Sequence, residues 1–406
     1  MRCILTVNYS PWSSYSGGGQ RSTHNLACAL SRRGHRVTVI FTKRPWESVP
    51  LPSDLPYDVV WAAMPIARRG TPFFVAREVH RLLRDAPEPT PTIVHSNGEE
   101  AALIPQLKQR VSSSQRFGFV MTPRYPNLPD PLQRAASQQS AIRLALLAVV
   151  QTKYIWLGRA LRGADWICPT SRSAAEMVQR AYGLARERIS VVPNGISEEF
   201  LRATSDAPEV TNADPTLAAF TSAGAFAIYF GRLAREKGVH TLIDALTLTD
   251  GEAEGPDVRV LFAGRGPELS RLQQRVAELH LGDRVHFSTW LDAPQLATLV
   301  RAASFAVLPS LEESFGNTMA EAMALSVPVL STSAGSIPEL IDNGRNGVLV
   351  TPGDARALAN AMRALAVDPT RRQQLGAAGR AHVVEHLTWD ASAARFEQIY
   401  ERVLAG

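Results

Sequence analysis

Residues Phe226-Ala-Ile-Tyr-Phe-Gly-Arg-Leu-Ala-Arg-Glu-Lys-Gly238 run from an apolar stretch through a glycine- and cation-rich turn into a fresh helical pattern. A short apolar run closed by glycine reads as a strand buried on both faces, which is the habit of a parallel sheet. The same succession recurs downstream. Phe305-Ala-Val-Leu-Pro309 leads into Leu311-Glu-Glu-Ser-Phe-Gly316, and a helical pattern opens at Asn317. Around these lie Val258–Ala263, Val285–Phe287, Val327–Ser331 and Val348–Val350, each short and bounded by turn residues. The amino-terminal half repeats the pattern with Ile4–Val7, Val37–Phe41, Val59–Ala62, Thr92–His95, Phe117–Thr122, Trp166–Pro169 and Ile189–Val192. Between the strands, segments such as Asn25–Arg33 set Leu26 and Leu30 on one face and stop at Gly34. Strands alternating with helices predict an α/β fold whose parallel sheets are covered on both faces.

The rhythm breaks once, at Ile196–Thr216, where Ser, Thr, Asp, Pro and Asn accumulate without apolar periodicity. The expected organisation is a Rossmann-like domain over 1–195, a linker over 196–215, a second Rossmann-like domain over 216–387, and a closing helix in 388–406 that packs back toward the first domain. Two doubly wound domains would offer the carboxyl ends of their strands to a shared cleft.

Composition narrows the function. The 406 residues are 45% hydrophobic and 20% charged, enough apolar material for two cores and far from collagen-like or disordered chains. The net charge of +5 conceals an asymmetry: residues 1–195 hold 25 basic and 12 acidic side chains, a net of +13, and the remainder is acidic. A basic first half suits an anionic partner such as an acidic acceptor or membrane leaflet, and uneven surface decoration would look the same. Cys3, Cys28 and Cys168 are too scattered for a disulfide framework or a metal clip. The longest apolar stretch, Leu144–Val150, falls far below the ~20 residues of a membrane span. The expectation is a cytoplasmic protein that touches the inner membrane face, if at all, from the side.

Three places carry chemistry. Gly17-Gly18-Gly19 follows the first strand and opens a helix, so Gly18 and Gly19 let backbone approach an anionic ligand. The dinucleotide fingerprint fails, because Ser22 stands at its last glycine and Phe41-Thr42-Lys43 lacks the ribose-binding acid. In the second domain, Gly231 frees the turn from which Arg232 and Lys237 emerge, and two fixed cations suit a diphosphate. A solvated basic turn is the plainer account of the same residues. Asn317 reads as the N-cap of the next helix, with Glu321 in its first turn and Glu313 in the preceding loop. Amides near Gly316–Met319 would form an anion site, and two carboxylates beside it would serve neutral hydroxyl groups of a sugar or ribose.

In this order and spacing the motifs resemble those of a GT-B glycosyltransferase of the large retaining family 4, across essentially the whole chain. They are the Gly17–Gly19 turn, Val192-Pro-Asn-Gly195, Gly231-Arg232…Lys237-Gly238, Gly264-Arg265-Gly266-Pro267, the Glu313/Glu321 pair with Phe315-Gly316, Ile337-Pro-Glu-Leu340 and Asn346-Gly347. The resemblance implies a GT-B fold and transfer of a sugar from a nucleotide-sugar, UDP- or GDP-linked, to an acceptor hydroxyl on a glycan, lipid or small molecule. The nucleotide-sugar is then a substrate, and no cofactor or metal is implied. Catalysis would fall to Arg232, Lys237 and Glu313. Arg232 and Lys237 would hold the pyrophosphate, Glu321 the ribose, and Glu313 the donor sugar. The backbone of Phe315, Gly316 and Asn317, with Thr318, would touch sugar and phosphate; Gly264 and Arg265 would lie near the base. Two positions depart from the pattern: Arg124 stands where similar enzymes carry a histidine, and Gly335-Ser336 replaces a double glycine. His95 and Arg124 are the acceptor-side candidates.

Other readings compete with transfer. A nucleotide-sugar epimerase of the same fold would convert donor alone, and an inactive binding protein would turn over nothing. A nucleic-acid module would need interleaved aromatic and basic residues that are missing here. His382-Val-Val-Glu385-His386 matches a zinc-peptidase pattern in form only, with 20 residues left to supply a third ligand. Ala67–Asp85 is a basic amphipathic stretch, fit either for a core-facing helix with a wet cationic side or for an anionic leaflet.

Overall fold

Every strand pairing of the two sheets is parallel. The computed structural model describes residues 1–13, 17–64, 70–86, 90–112, 116–123, 154–202, 215–248, 258–288 and 291–406. One sheet holds β1 (Arg2–Val7), β2 (Arg36–Lys43), β3 (Asp58–Ala63), β4 (Thr92–Ser96), β5 (Gly118–Met121) and β6 (Trp166–Ile167), in the order β3-β2-β1-β4-β5-β6. The other holds β7 (Ala227–Phe230), β8 (Val260–Ala263), β9 (Val285–Ser288), β10 (Phe305–Leu308), β11 (Val329–Thr332) and β12 (Val348–Val350), in the order β12-β11-β10-β7-β8-β9. Counted within its own half, each sheet follows the doubly wound 3-2-1-4-5-6 order. The strand order therefore reverses between β1 and β4 in one sheet and between β7 and β10 in the other.

The chain divides into two compact units, Met1–Gly195 with Trp389–Gly406, and Ile196–Thr388. In the first, one face of the sheet buries Ile4, Ile40 and Val94 against Val75 and Val79 of the helix Thr71–Arg84. The opposite face buries Leu5, Val39 and Phe41 under Leu26 and Leu30 of the helix Gly18–Arg32, and also under Trp389, Phe396 and Tyr400. Those three belong to the closing helix Trp389–Ala405, which is thus part of this core. Glu397 fixes its outer side, accepting from Arg33 Nη2 and pairing with His35 Nε2, both at 2.6 Å. The second unit closes one continuous core around Ile228, Phe262, Val307 and Leu330.

Two expectations change. Ile189–Val192 meets β6 through a single bridge, Ile189 with Ile167, and through Ser190 and Val192 amides donating to Ile167 and Pro169. Pro169 and Pro193 have no N–H with which to extend that ladder. The linker expectation over 196–215 also fails at its start. Ile196 and Phe200 are 2% and 1% exposed within the second unit's core, and Glu198–Arg202 is a helix. Two apolar side chains among many polar ones were enough to dock that segment. Leu144–Val150 lies outside the described residues.

Candidate donor site

β7 and β10 are neighbours at the reversal point, so the turns leaving their carboxyl ends rise side by side. The turn after β7 spans Gly231–Gly238; the loop after β10 runs to Gly316 and the helix Asn317–Ala324. Backbone and side chains lace the two together. The amides of Leu311 and Glu312 donate to the Glu236 carbonyl at 2.8 and 3.3 Å. Lys237 Nζ donates to Glu313 Oε2 at 2.6 Å. Gly238 sits at φ +67°, and a Cβ there would collide with the Pro309 carbonyl. Only glycine gives both the left-handed turn and that close approach.

The two predicted cations each have a carboxylate partner. Arg232 pairs with Glu236, four residues on, and Lys237 with Glu313. Arg232 is 61% exposed and Lys237 27%, so the arginine is the outer cation and the lysine the inner one. Beneath them the Tyr229 hydroxyl donates to the Arg232 carbonyl at 2.8 Å. Burial first, then Glu236 and Glu313, push its pKa well above the ordinary tyrosine range, while Arg232 opposes them. Arg232, Glu236 and Glu313 therefore gather around one buried oxygen.

Glu313 is held from its other side. Its carbonyl accepts from the Ser336 amide at 3.1 Å and the Ser336 hydroxyl at 3.3 Å, and its Oε1 accepts from the Ser314 amide at 3.2 Å. Gly335, at φ +53°, lies so close to the Glu313 carbonyl that a side chain has no room. Ser336, the departure from a double glycine, is 1% exposed and turns its hydroxyl onto Glu313.

The Gly264–Pro267 turn joins the same group through backbone bonds. Gly231 N donates to Ala263 O at 3.1 Å, Leu233 N to Arg265 O at 2.8 Å, and Glu268 N to Leu233 O at 3.1 Å. Glu268 then collects His240 at 2.7 Å, Arg235 at 3.7 Å and Arg271 at 3.8 Å. The His240 contact first, then the nearby charges, hold its carboxyl below the usual range.

At the helix start the residue roles shift by one. Gly316, at φ +96°, is the N-cap, and Asn317 is the first helical residue. The left-handed cap comes from glycine, so the helix needs no asparagine side chain to begin. Glu321 consequently falls in the second turn. Phe315 is 7% exposed and its side chain belongs to the core. Thr318 borders Gly231: its Cγ2 lies 3.5 Å from where a Gly231 Cβ would stand. The second unit thus brings together Gly231, Arg232, Lys237, Gly264, Arg265, Glu313, Gly316, Asn317 and Thr318 on three adjoining strand ends.

In the first unit, Gly17 caps the helix that begins with Gly18 and Gly19. Gln20 folds back over that turn, accepting from the Gly17 amide at 3.0 Å and donating to the Asn8 carbonyl at 2.6 Å. His95 corrects an expectation. It is 2% exposed, with Nδ1 on the Tyr400 hydroxyl at 2.6 Å and Nε2 on Thr122 Oγ1 at 2.7 Å. Both ring nitrogens are committed to the fold, so His95 offers nothing to an acceptor. Arg124, the other acceptor-side candidate, lies outside the described residues.

Sequence reasoning missed Glu236, Tyr229 and Glu268, and it marked Ser336 as a departure without its contact to Glu313. Glu236 carried a signal, its i,i+4 spacing from Arg232, and Tyr229 stands three residues before Arg232; Ser336 and Glu268 pair across loops distant in sequence. His382 and His386 pack edge to face at 5.0 Å on the helix Pro369–His386. Among the described residues, no three His, Cys, Asp or Glu side chains gather as a metal site, and no helix is long and apolar enough to cross a membrane.

Comparison with known proteins supplies the lineage. The model for glycosyl transferases group 1 matches residues 219–382, and that for glycosyltransferase family 4 matches residues 16–200. A D-inositol 3-phosphate glycosyltransferase of Pseudarthrobacter chlorophenolicus is 34% identical over 236 residues, 57% of this chain. The chain spans less than two thirds of the length of the curated relatives it matches, 54% in that case. Sucrose-phosphate synthase from Thermosynechococcus elongatus superposes with a TM-score of 0.77 at 23% identity, covering 100% of this chain and 99% of that one. Anabaena HepE, solved with UDP and glucose, gives 0.75 at 20% identity, covering 99% and 100%. With two family models spread over both halves, and a doubly wound parallel sheet in each, the chain belongs to the group 1 glycosyltransferases of GT-B fold.

Proposed function

We propose that the protein is a retaining glycosyltransferase that binds a nucleoside diphosphate sugar on its carboxy-terminal unit and transfers the sugar to an acceptor hydroxyl in glycan, glycolipid or natural-product biosynthesis. The observation that carries this reading is the meeting of Arg232, Lys237 and the Gly316–Thr318 helix start at the β7–β10 reversal point. Helix amides and two cations offer a diphosphate both bidentate contacts and a positive dipole end. That Anabaena HepE was solved with UDP and glucose supports a nucleotide-sugar donor. The acceptor is assigned to an anionic surface, or to a molecule carried on one, by the positive excess of residues 1–195.

In the reaction, the bond between the anomeric carbon and the diphosphate oxygen breaks, and the acceptor oxygen bonds to the same face of that carbon. The departing phosphate takes the acceptor's proton, so the protein supplies no nucleophile. Arg232 and Lys237 neutralise the charge that grows on the leaving group, a task worth several kcal/mol when the groups are already in place. Glu313 turns from Lys237 toward sugar hydroxyls once phosphate occupies the lysine, and Glu321 takes the ribose. The reading places leaving-group charge on these side chains and amides rather than on a metal.

Arg232→Ala and Lys237→Ala should each lower kcat/KM by about 100-fold or more, with folding intact, since a charge-assisted transition-state contact is worth ~3 kcal/mol. Assays run with a panel of UDP-, GDP-, ADP- and TDP-sugars, with and without acceptors, decide it. Near-native turnover of either variant would refute the charge assignment, and conversion of donor alone would refute transfer.

A further inference from the structure

The helix Thr71–Arg84 is amphipathic in an unusual sense. Its apolar side, Val75, Val79 and Leu83, is spent entirely on the core, at 0%, 0% and 5% exposure. Its outer side carries Phe73, Arg77, His80, Arg81 and Arg84, spaced so that they fall in one stripe roughly 16 Å long at 1.5 Å per residue. Phe73 is 59% exposed, and the side chains of Arg77, Arg81 and Arg84 are 57%, 48% and 66% exposed. The carboxylates on this helix are Glu78, tucked between Arg77 and Arg81 at 10% exposure, and Asp85, its C-cap, beside Arg84. Three arginines and a histidine thus stand over two acids, only one of which is exposed.

The stripe has an aromatic end. The helix follows β3 in the chain, and β2 runs parallel to β3, so the segment after β2 leaves the same edge of the sheet as the chain after β3. Trp46 lies in that segment and is 61% exposed, with the Arg44 guanidinium 5.6 Å above its ring. The two aromatic side chains with the highest exposure among the described large hydrophobics therefore belong to segments that follow neighbouring strands, β2 and β3, and Phe73 stands ahead of a row of cations.

We infer that this face, with Phe73 and Trp46 at one end and Arg77, Arg81 and Arg84 along the helix, docks on an anionic lipid bilayer. A bilayer presents charge in a plane, which a straight row of cations meets at every turn, and an interfacial layer in which exposed aromatic rings settle. Single-stranded nucleic acid asks for a different pattern, aromatic faces interleaved with cations along a groove. The surplus of positive charge in residues 1–195 acts in the same direction at long range. The inference rests on exposure and charge alone and goes beyond the transfer reading.

Flotation of the full chain with vesicles tests it directly. Vesicles of phosphatidylcholine with about one third phosphatidylglycerol should carry the protein at low ionic strength and release it as salt shortens the Debye length. Pure phosphatidylcholine should carry little. Arg81→Gln with Arg84→Gln should lower the partition coefficient by about 25-fold, at about fivefold per arginine, while Arg77 still holds Glu78. Phe73→Ser should lower it several-fold. A control pair far along the sequence, Arg180→Gln with Arg186→Gln, removes equal charge and should change it little, and thermal melts monitor folding throughout. No flotation with anionic vesicles, equal loss in the control pair, or equal binding to neutral vesicles would overturn the inference. A vesicle-free donor-binding assay reports separately on the glycosyltransferase reading.

Discussion

Glu100 should make the amino-terminal unit lose stability as pH rises through neutrality. The residue is 2% exposed, just beyond β4. Its Oε1 accepts from the amides of Asn97 and Gly98 at 3.2 and 3.0 Å, and its Oε2 accepts from Asn8 Nδ2 at 3.3 Å. Among the described residues no cation compensates its charge. Burial first and then Glu99 push its pKa up to about 8, against the pull of its backbone hydrogen bonds. Between the ordinary carboxylate value and about 8, the folded chain keeps a proton that the unfolded chain has lost. Stability then falls by about 1.4 kcal/mol per pH unit from this group. From pH 5.5 to 7.5 that amounts to about 2.5 kcal/mol. Glu100→Gln removes the titration and keeps an amide oxygen for the backbone donors. Urea unfolding of both proteins, read by tryptophan fluorescence across that range, should show the variant gaining on the parent as pH rises. A constant difference between the two would refute the reasoning, because it would mean that the buried carboxyl ionises as freely in the folded chain as in the unfolded one.

Gly335→Ala should destabilise by about 2 kcal/mol or more, because it forces a side chain into a left-handed residue and against the Glu313 carbonyl; thermal melts and donor KM should worsen together. Tyr400→Phe should cost about 1–2 kcal/mol by leaving His95 Nδ1 buried without its 2.6 Å partner, as measured by denaturant unfolding. Glu397, held below the usual carboxylate range by its bond to Arg33 and then by His35, stabilises above that range and ceases to as pH falls through its lowered value. Glu397→Gln should therefore cost up to about 1 kcal/mol at pH 7 and nothing in strong acid, as followed by acid titration of the melting temperature.

The fold was readable because its strands are apolar on both faces and end on glycine or proline, as at Phe226–Phe230 and Phe305–Pro309. Ile189–Val192 misled for the same reason, since its composition suits a strand and only its neighbours' missing amides deny it a ladder. The phosphate-side residues Arg232 and Lys237 were visible as cations fixed at a strand exit. Their partners were less so. Ser336 reaches Glu313 from a turn 23 residues away, a proximity that only the pairing of β10 with β11 creates. His95 reads as a polar residue at a strand end pointing to a site, yet its true partner, Tyr400, is 305 residues distant. Periodicity signals which face of an element is buried and is silent about which other element covers it.

That distant partner makes the first unit discontinuous, and protein synthesis must contend with it. A ribosome adding about 5–20 residues per second spends roughly 10–40 s on Ile196–Thr388 before Trp389 appears. Through that interval the nascent first sheet waits with one face open where Trp389, Phe396 and Tyr400 belong, while the second unit, unbroken in sequence, can finish on its own. Shortening the chain from its carboxyl end would therefore injure the portion made first.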